Sequence, residues 1–171
     1  KKMIGLVNYG LGNIKAFANI YKKLNISCKF INNPCDLEKV EKIILPGVGS
    51  FDNALDKLNK SNLLDEINNK VKKEKMPVLG VCVGMQIMAK SSEEGILEGL
   101  GWIPGIVRKF KESSFITKPY TPHMGWNSVK KLNNSIILDN IDHPKFYFLH
   151  SYYFEPEESS MITSTTNYGL N

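Results

Sequence analysis

The sequence predicts an α/β fold: a mostly parallel central sheet flanked by helices, with additional antiparallel strands in the second half. Three observations carry this expectation. Short runs in the first half are apolar without alternation, as in strands covered on both faces. Each run stops at a turn and is followed by a segment with helical spacing. After residue 100 the helical spacing disappears and shorter strand-like runs succeed one another.

The elements follow in order. Ile4-Gly5-Leu6-Val7 is the first strand, ended by Asn8-Tyr9-Gly10-Leu11-Gly12. Asn13 is placed to cap a helix running to about Leu24, with Ile14, Phe17, Ala18, Ile20 and Tyr21 as its apolar positions. Cys28 to Ile31 is the second strand, before the turn residues Asn32-Asn33-Pro34, and Lys42 to Leu45 is the third, cut off by Pro46-Gly47-Val48-Gly49. Helical patterns follow at about 50–59 and 62–73, the second after a Ser61 cap. Pro77 to Val81 is the fourth strand and leads through Cys82 into an apolar helix, Met85 to Ala89. In the second half, Trp102 to Phe110, His123 to Val129, Phe146 to His150 and Met161 to Thr165 read as strands. No repeat or low-complexity linker divides the chain, so residues 1–171 are expected to form a single domain.

Composition excludes several classes. Apolar residues make up 42% and charged residues 23%, the balance of a globular chain rather than a disordered one. No apolar run approaches the ~18–20 residues of a membrane span. The net charge of +5 is carried by 21 lysines and a single arginine, Arg108. The lysines are scattered, and arginine, the residue suited to bidentate phosphate and base contacts, is almost absent, so no nucleic-acid partner is expected. Three cysteines do not make a disulfide framework, which points to a reducing, cytoplasmic setting. With no Cys-x-x-Cys spacing and no histidine ligand pair, no metal is expected.

The segment Gly80-Val81-Cys82-Val83-Gly84 has the form Gly-x-nucleophile-x-Gly at a strand-to-helix junction. Such an elbow holds its nucleophile in a strained turn, and the small flanking residues let strand and helix approach closely. The start of the helix favours the thiolate, and the Val83 N–H is ready to donate to an oxyanion. Cys28 and Cys35 lack this setting and read as structural. Gly47 and Gly49 flank Val48 at the end of the third strand, which makes that peptide a candidate for the other half of an oxyanion hole.

Together with Asn8 to Asn13, Ser91-Ser92-Glu93-Glu94-Gly95, Pro122-His123-Met124-Gly125-Trp126-Asn127 and Phe148-Leu149-His150-Ser151-Tyr152, these motifs resemble class I (triad-type) glutamine amidotransferases. Within that family the resemblance is strongest to the glutaminase subunits of imidazole glycerol phosphate synthases of histidine biosynthesis. It covers essentially the whole chain from about Met3, which leaves the nativeness of Lys1-Lys2 open.

The resemblance implies a flavodoxin-like amidotransferase fold and an enzyme that needs no metal or organic cofactor. It implies that Cys82 attacks the side-chain amide of L-glutamine, with the backbone N–H groups of Val48 and Val83 on the oxyanion. Gly47, Gly49, Gln86, Ser151 and Tyr152 match positions around the substrate. Asn13, Trp126 and His123 match positions toward a (β/α)8-barrel synthase subunit, which receives the ammonia in a heterodimer. The family's catalytic His-Pro-Glu motif follows the stretch resembling Thr165 to Gly169, and residues 1–171 end before it. The chain is therefore expected to be C-terminally truncated and poorly active as it stands. Two other readings stay open here: a paralogue feeding ammonia to another synthase, such as one that modifies a surface sugar, and a non-catalytic regulatory module.

Overall fold

A computed structural model describes residues 3–111, 121–132 and 136–169. Lys1, Lys2 and the chain end at Asn171, on which expectations are stated above, lie outside them. Four parallel strands form the central sheet in the order β2-β1-β3-β4, with β1 at Ile4–Val7, β2 at Cys28–Ile31, β3 at Lys42–Leu45 and β4 at Val78–Gly80. The register pairs Leu6 with both Phe30 and Ile44, and Leu45 with Gly80. Helix α1 (Ile14–Lys23) starts where expected, because the Asn13 side chain accepts the Ala16 N–H.

Helix α2 (Phe51–Lys60) shows why the chain folds here. Phe51, Ala54, Leu55 and Leu58, at helical spacing, are all buried against Leu45, Leu63, Ile67 and Ile87. Helix α3 (Leu64–Asn68) runs directly into a π-helical turn at Asn69–Lys73, where the Glu74 N–H reaches back to the Asn69 carbonyl. The helix proper begins three residues after Ser61, at Leu64, but the Ser61 hydroxyl links the two helices: it donates to the Leu58 carbonyl at the end of α2 and accepts the Leu63 N–H at 3.3 Å.

The helix expected from Met85 to Ala89 is displaced toward the strand: α4 spans Val83–Gln86. It stops there because the next carbonyls are engaged by the chain beyond it. Ile87 accepts from Leu100, Met88 from Trp102 and Ile103, and Ala89 from Gly101.

The second half is mixed sheet. Strands β5 (Ser91–Ser92), β6 (Gly105–Lys109) and β10 (Tyr152–Pro156) form one layer, with β5 parallel and β10 antiparallel to β6. Strand β7 (His123–Ser128) pairs antiparallel with β9 (Lys145–His150), and β8 (Lys130–Lys131) pairs antiparallel with β11 (Ser164–Thr165). Strands β5, β8 and β10 are not among the expected elements; two of them are two residues long, too short for a sequence pattern. Arg108 on β6 bridges Glu93 and Glu155, which ties the residues after β5 to this layer.

Among the described residues, no helix is long and apolar enough to cross a membrane. The core position of α2 makes a direct test. Leu58→Ala should lower stability by about 3 kcal/mol. The exposed neighbour Lys57→Ala should change it by less than about 0.5 kcal/mol. Urea unfolding midpoints measure both.

Candidate active site

Three loops meet at the carboxyl ends of β1, β3 and β4: residues 8–13, 46–50 and 81–84. In the order β2-β1-β3-β4, the chain winds outward from β1 on one side and from β3 on the other. The gap between β1 and β3 is thus the switch point at which open α/β sheets hold their ligands. Tyr9 bridges that gap. Its ring is buried (4% exposed), and its hydroxyl donates to the Pro46 carbonyl at 2.5 Å. Burial, and then the charge of the neighbouring Cys82, push the Tyr9 phenol up to about 12.

Cys82 sits between β4 and α4 with φ 56° and ψ −125°. A residue with a side chain adopts this left-handed conformation only under strain of about 1–3 kcal/mol, so the turn is held by its surroundings. Those surroundings are glycines. A Cβ on Gly80 would lie 2.5 Å from the Met85 Cα, and one on Gly84 would collide with the Leu45 carbonyl. A Cβ on Gly47 would collide with the Gly84 nitrogen. The glycine loop after β3 therefore lies backbone to backbone against the elbow. The Cys82 side chain is exposed. Among the described residues, the Val83 N–H and the N–H groups of Gly47, Val48, Gly49 and Ser50 have no hydrogen-bond partner. An exposed thiol with unpaired N–H groups beside it can add to a carbonyl carbon and leave donors for the resulting oxyanion.

Polar contacts fix both sides of this loop. Downstream of Gly49, the Phe51 N–H at the start of α2 donates to Glu94 at 2.9 Å. The Asp52 carboxylate accepts from the Ile96 and Leu97 N–H groups. Thus the Ser91-to-Gly95 string, identified above only as a motif, supplies the cap that Ser50 does not provide. Upstream, Tyr9 holds Pro46, and Gly12 packs on the Pro46 ring.

The expected site residues separate into groups. Cys82, Val83, Gly47 and the loop carrying Val48 and Gly49 come together at the elbow. Gln86, buried on α4, donates its amide to the Tyr152 carbonyl at 3.2 Å, which brings β10 and the adjoining Ser151 to the same helix. Asn13 is exposed and is occupied in capping α1. Trp126 is 73% exposed on β7, its ring edge against Tyr147.

His123 corrects an expectation. Assigned above to a partner surface, it is 2% exposed, with Phe148 stacked at 4.4 Å and Tyr168 at 3.8 Å between ring centroids. Alternation along β7 turns Trp126 outward and His123 inward. Its Nδ1 lies 3.1 Å from Nε2 of His150. Sequence reasoning missed this pair, along with Tyr9 and Glu94. The motifs contained them, but only the tertiary contacts assign them partners. Among the described residues, no group of three or more His, Cys, Asp or Glu is arranged to hold a metal ion.

The chain belongs to the class-I glutamine amidotransferases: the model of that family, "Glutamine amidotransferase class-I", matches residues 5–169. Two curated relatives are imidazole glycerol phosphate synthase subunits HisH. The protein of Leptospira interrogans is 48% identical over 99% of this chain and 83% of its own length, and that of Bdellovibrio bacteriovorus is 47% identical over 98% and 83%. A crystal structure of a glutamine amidotransferase matches in fold with a TM-score of 0.70, at 16% identity over 94% of this chain and 78% of its own.

Two measurements probe the site's construction. Gly84→Ala must displace the β3 end or the elbow, and a loss of about 1–3 kcal/mol is expected from urea unfolding. For Tyr9, the phenol ionises near pH 10 in the unfolded chain and near 12 in the fold. Between those values the unfolded state sheds a proton that the fold retains, so the contribution is intact below pH 10 and is lost as pH rises through 12. Burial also raises Tyr21 and Tyr153, so an absorbance titration should show several late-ionising tyrosines, of which the component near pH 12 disappears in Tyr9→Phe.

Proposed function

We propose that this chain is a glutaminase subunit that hydrolyses L-glutamine through Cys82. It passes the ammonia to a (β/α)8-barrel synthase subunit, with which it forms imidazole glycerol phosphate in histidine biosynthesis. Membership in the amidotransferase family and the HisH relatives, similar over nearly the whole chain, support this reading. The single observation that carries the chemistry is the elbow: an exposed Cys82 at φ 56°, beside the unpaired Val83 N–H and packed against the Gly47–Gly49 loop.

In this reaction the Cys82 thiolate adds to the side-chain amide carbon of glutamine, and the oxyanion is received by the N–H groups of Val83 and Val48. The C–N bond breaks, the nitrogen takes a proton and leaves as ammonia, and a γ-glutamyl thioester remains. Water attacks the thioester and releases glutamate. Val48 is 55% exposed and lies between two glycines, so its peptide is free to rotate toward or away from the oxyanion. That rotation is a means for a bound partner to switch hydrolysis on. Gln86, Ser151 and Tyr152 are assigned to the amino-acid portion of glutamine, and Gly47 and Gly49 are assigned to the substrate beside Cys82. Asn13 and the exposed Trp126 are assigned to the partner surface.

The reaction also needs a base on the thiol. Among the described residues, no hydrogen bond joins Cys82 to His123, His143 or His150, and two of these histidines are bonded to each other. The base is therefore assigned to none of the three. Residues 1–171 alone should hydrolyse glutamine at least about 10³-fold more slowly than the same chain carried on through a His-Pro-Glu segment, given the cost of losing a triad member. Equal rates would overturn the assignment and point to a base within these residues. No activity in either form, even with a barrel subunit added, would favour a non-catalytic module. In the active form Cys82→Ala should abolish both hydrolysis and covalent labelling by a diazoketone analogue of glutamine, read by mass spectrometry.

A further inference from the structure

The β7–β9 pairing sets His123 directly opposite His150. The direction of every proton between them follows from the groups at the two ends. The Asn127 Oδ1 accepts the Ser128 N–H at 2.8 Å, which orients the amide. Its Nδ2 therefore faces Nε2 of His123 at 3.3 Å and the Asn167 carbonyl at 2.8 Å. An amide NH₂ group only donates, so Nε2 of His123 accepts and Nδ1 carries the proton. That proton is given to Nε2 of His150 at 3.1 Å. The proton of His150 then resides on Nδ1 and is given to the Tyr152 carbonyl at 2.8 Å. Gln86 of α4 donates to the same carbonyl. Burial disfavours the charged form of both rings, so the chain of donors is complete with every member neutral.

We propose that Asn127, His123 and His150 are positioning residues for the glutamine pocket: their one-way chain of hydrogen bonds fixes the Tyr152 carbonyl and, through it, Gln86. The chain starts one residue after the exposed Trp126 and ends four residues past Cys82 along α4, so it joins the face assigned to the partner to the elbow. The positioning role rests on the glutamine reading above; the direction of the hydrogen bonds does not.

Two experiments test the two parts separately. Long-range ¹H–¹⁵N correlation spectra of the unsubstituted 171-residue chain, with His143 as the exposed reference, should show His123 and His150 both protonated on Nδ1. Protonation on Nε2 at either residue overturns the chain, whatever glutamine does. Glutamine affinity is then measured by calorimetry for His150→Asn, whose amide nitrogen replaces Nδ1, and for His150→Phe, which fills the space without a donor. Binding should weaken about tenfold in the phenylalanine variant and by no more than about threefold in the asparagine variant. A role in packing alone predicts the opposite order, and that order, or equal affinities, overturns the positioning role. If the unsubstituted chain shows the expected tautomers but binds no glutamine, the pocket assignment fails and takes the positioning role with it. The tautomers are read on the unsubstituted chain, so they decide the first part even if a variant does not fold.

Discussion

Between the end of β3 and the start of α4 the two backbones touch with no side chain between them. Gly84 lies against the Leu45 carbonyl and Pro46, and Gly47 lies against Val83 and Gly84. A β-carbon at either glycine would drive the segments apart, because backbone cannot yield as a flexible side-chain end can. The position of Cys82 depends on this contact. Its left-handed conformation is unfavourable in isolation and persists because α4 is pinned by β3, and the segment that follows α4, Ile87–Lys90, by the chain returning at residues 99–103. Buried Val83, Ile87, Met88 and Ala89 supply the apolar burial that opposes the strain.

The same contact explains why acidic residues gather where they do. A loop of glycines cannot hold its own shape, so its ends must be held from outside. Tyr9 does this at Pro46, and Glu94 does it at the first turn of α2. Glu93 in turn is tied to the Lys109 N–H and to Arg108, and this anchoring keeps its carboxyl below its ordinary ionisation range. The Ser91–Gly95 string therefore works as a brace. One carboxylate reaches into the central sheet's loop and its neighbour reaches into the outer layer. The lone arginine is occupied here, between Glu93 and Glu155.

Much of this was legible in the residues. The four parallel strands announced themselves as apolar runs, and Asn13 as a cap. The elbow was written in Gly80, Cys82 and Gly84, because close backbone approach demands glycine whatever the rest of the fold. Where the reading failed, the deciding partner lay far away in the chain. Ser61 accepts the Leu63 N–H as a cap would, yet it also donates to Leu58 at the end of α2, and the helix starts only at Leu64. The helix after Cys82 looked longer because Ile87 to Ala89 are apolar, but their carbonyls bond to residues 100–103. Tyr9 finds its acceptor 37 residues away, and His123 meets His150 only once β7 and β9 are in register. A motif can show that residues matter without showing what they touch.

The Tyr152 carbonyl has a further consequence. A carbonyl oxygen offers two lone pairs, and here both are spoken for, one by the Gln86 amide and one by His150. Its acceptor capacity is saturated before any small molecule arrives. The oxygen is spent inside the fold: it fastens β10 to α4 on one side and to the end of β9 on the other, so the loop between the two strands has a fixed anchor.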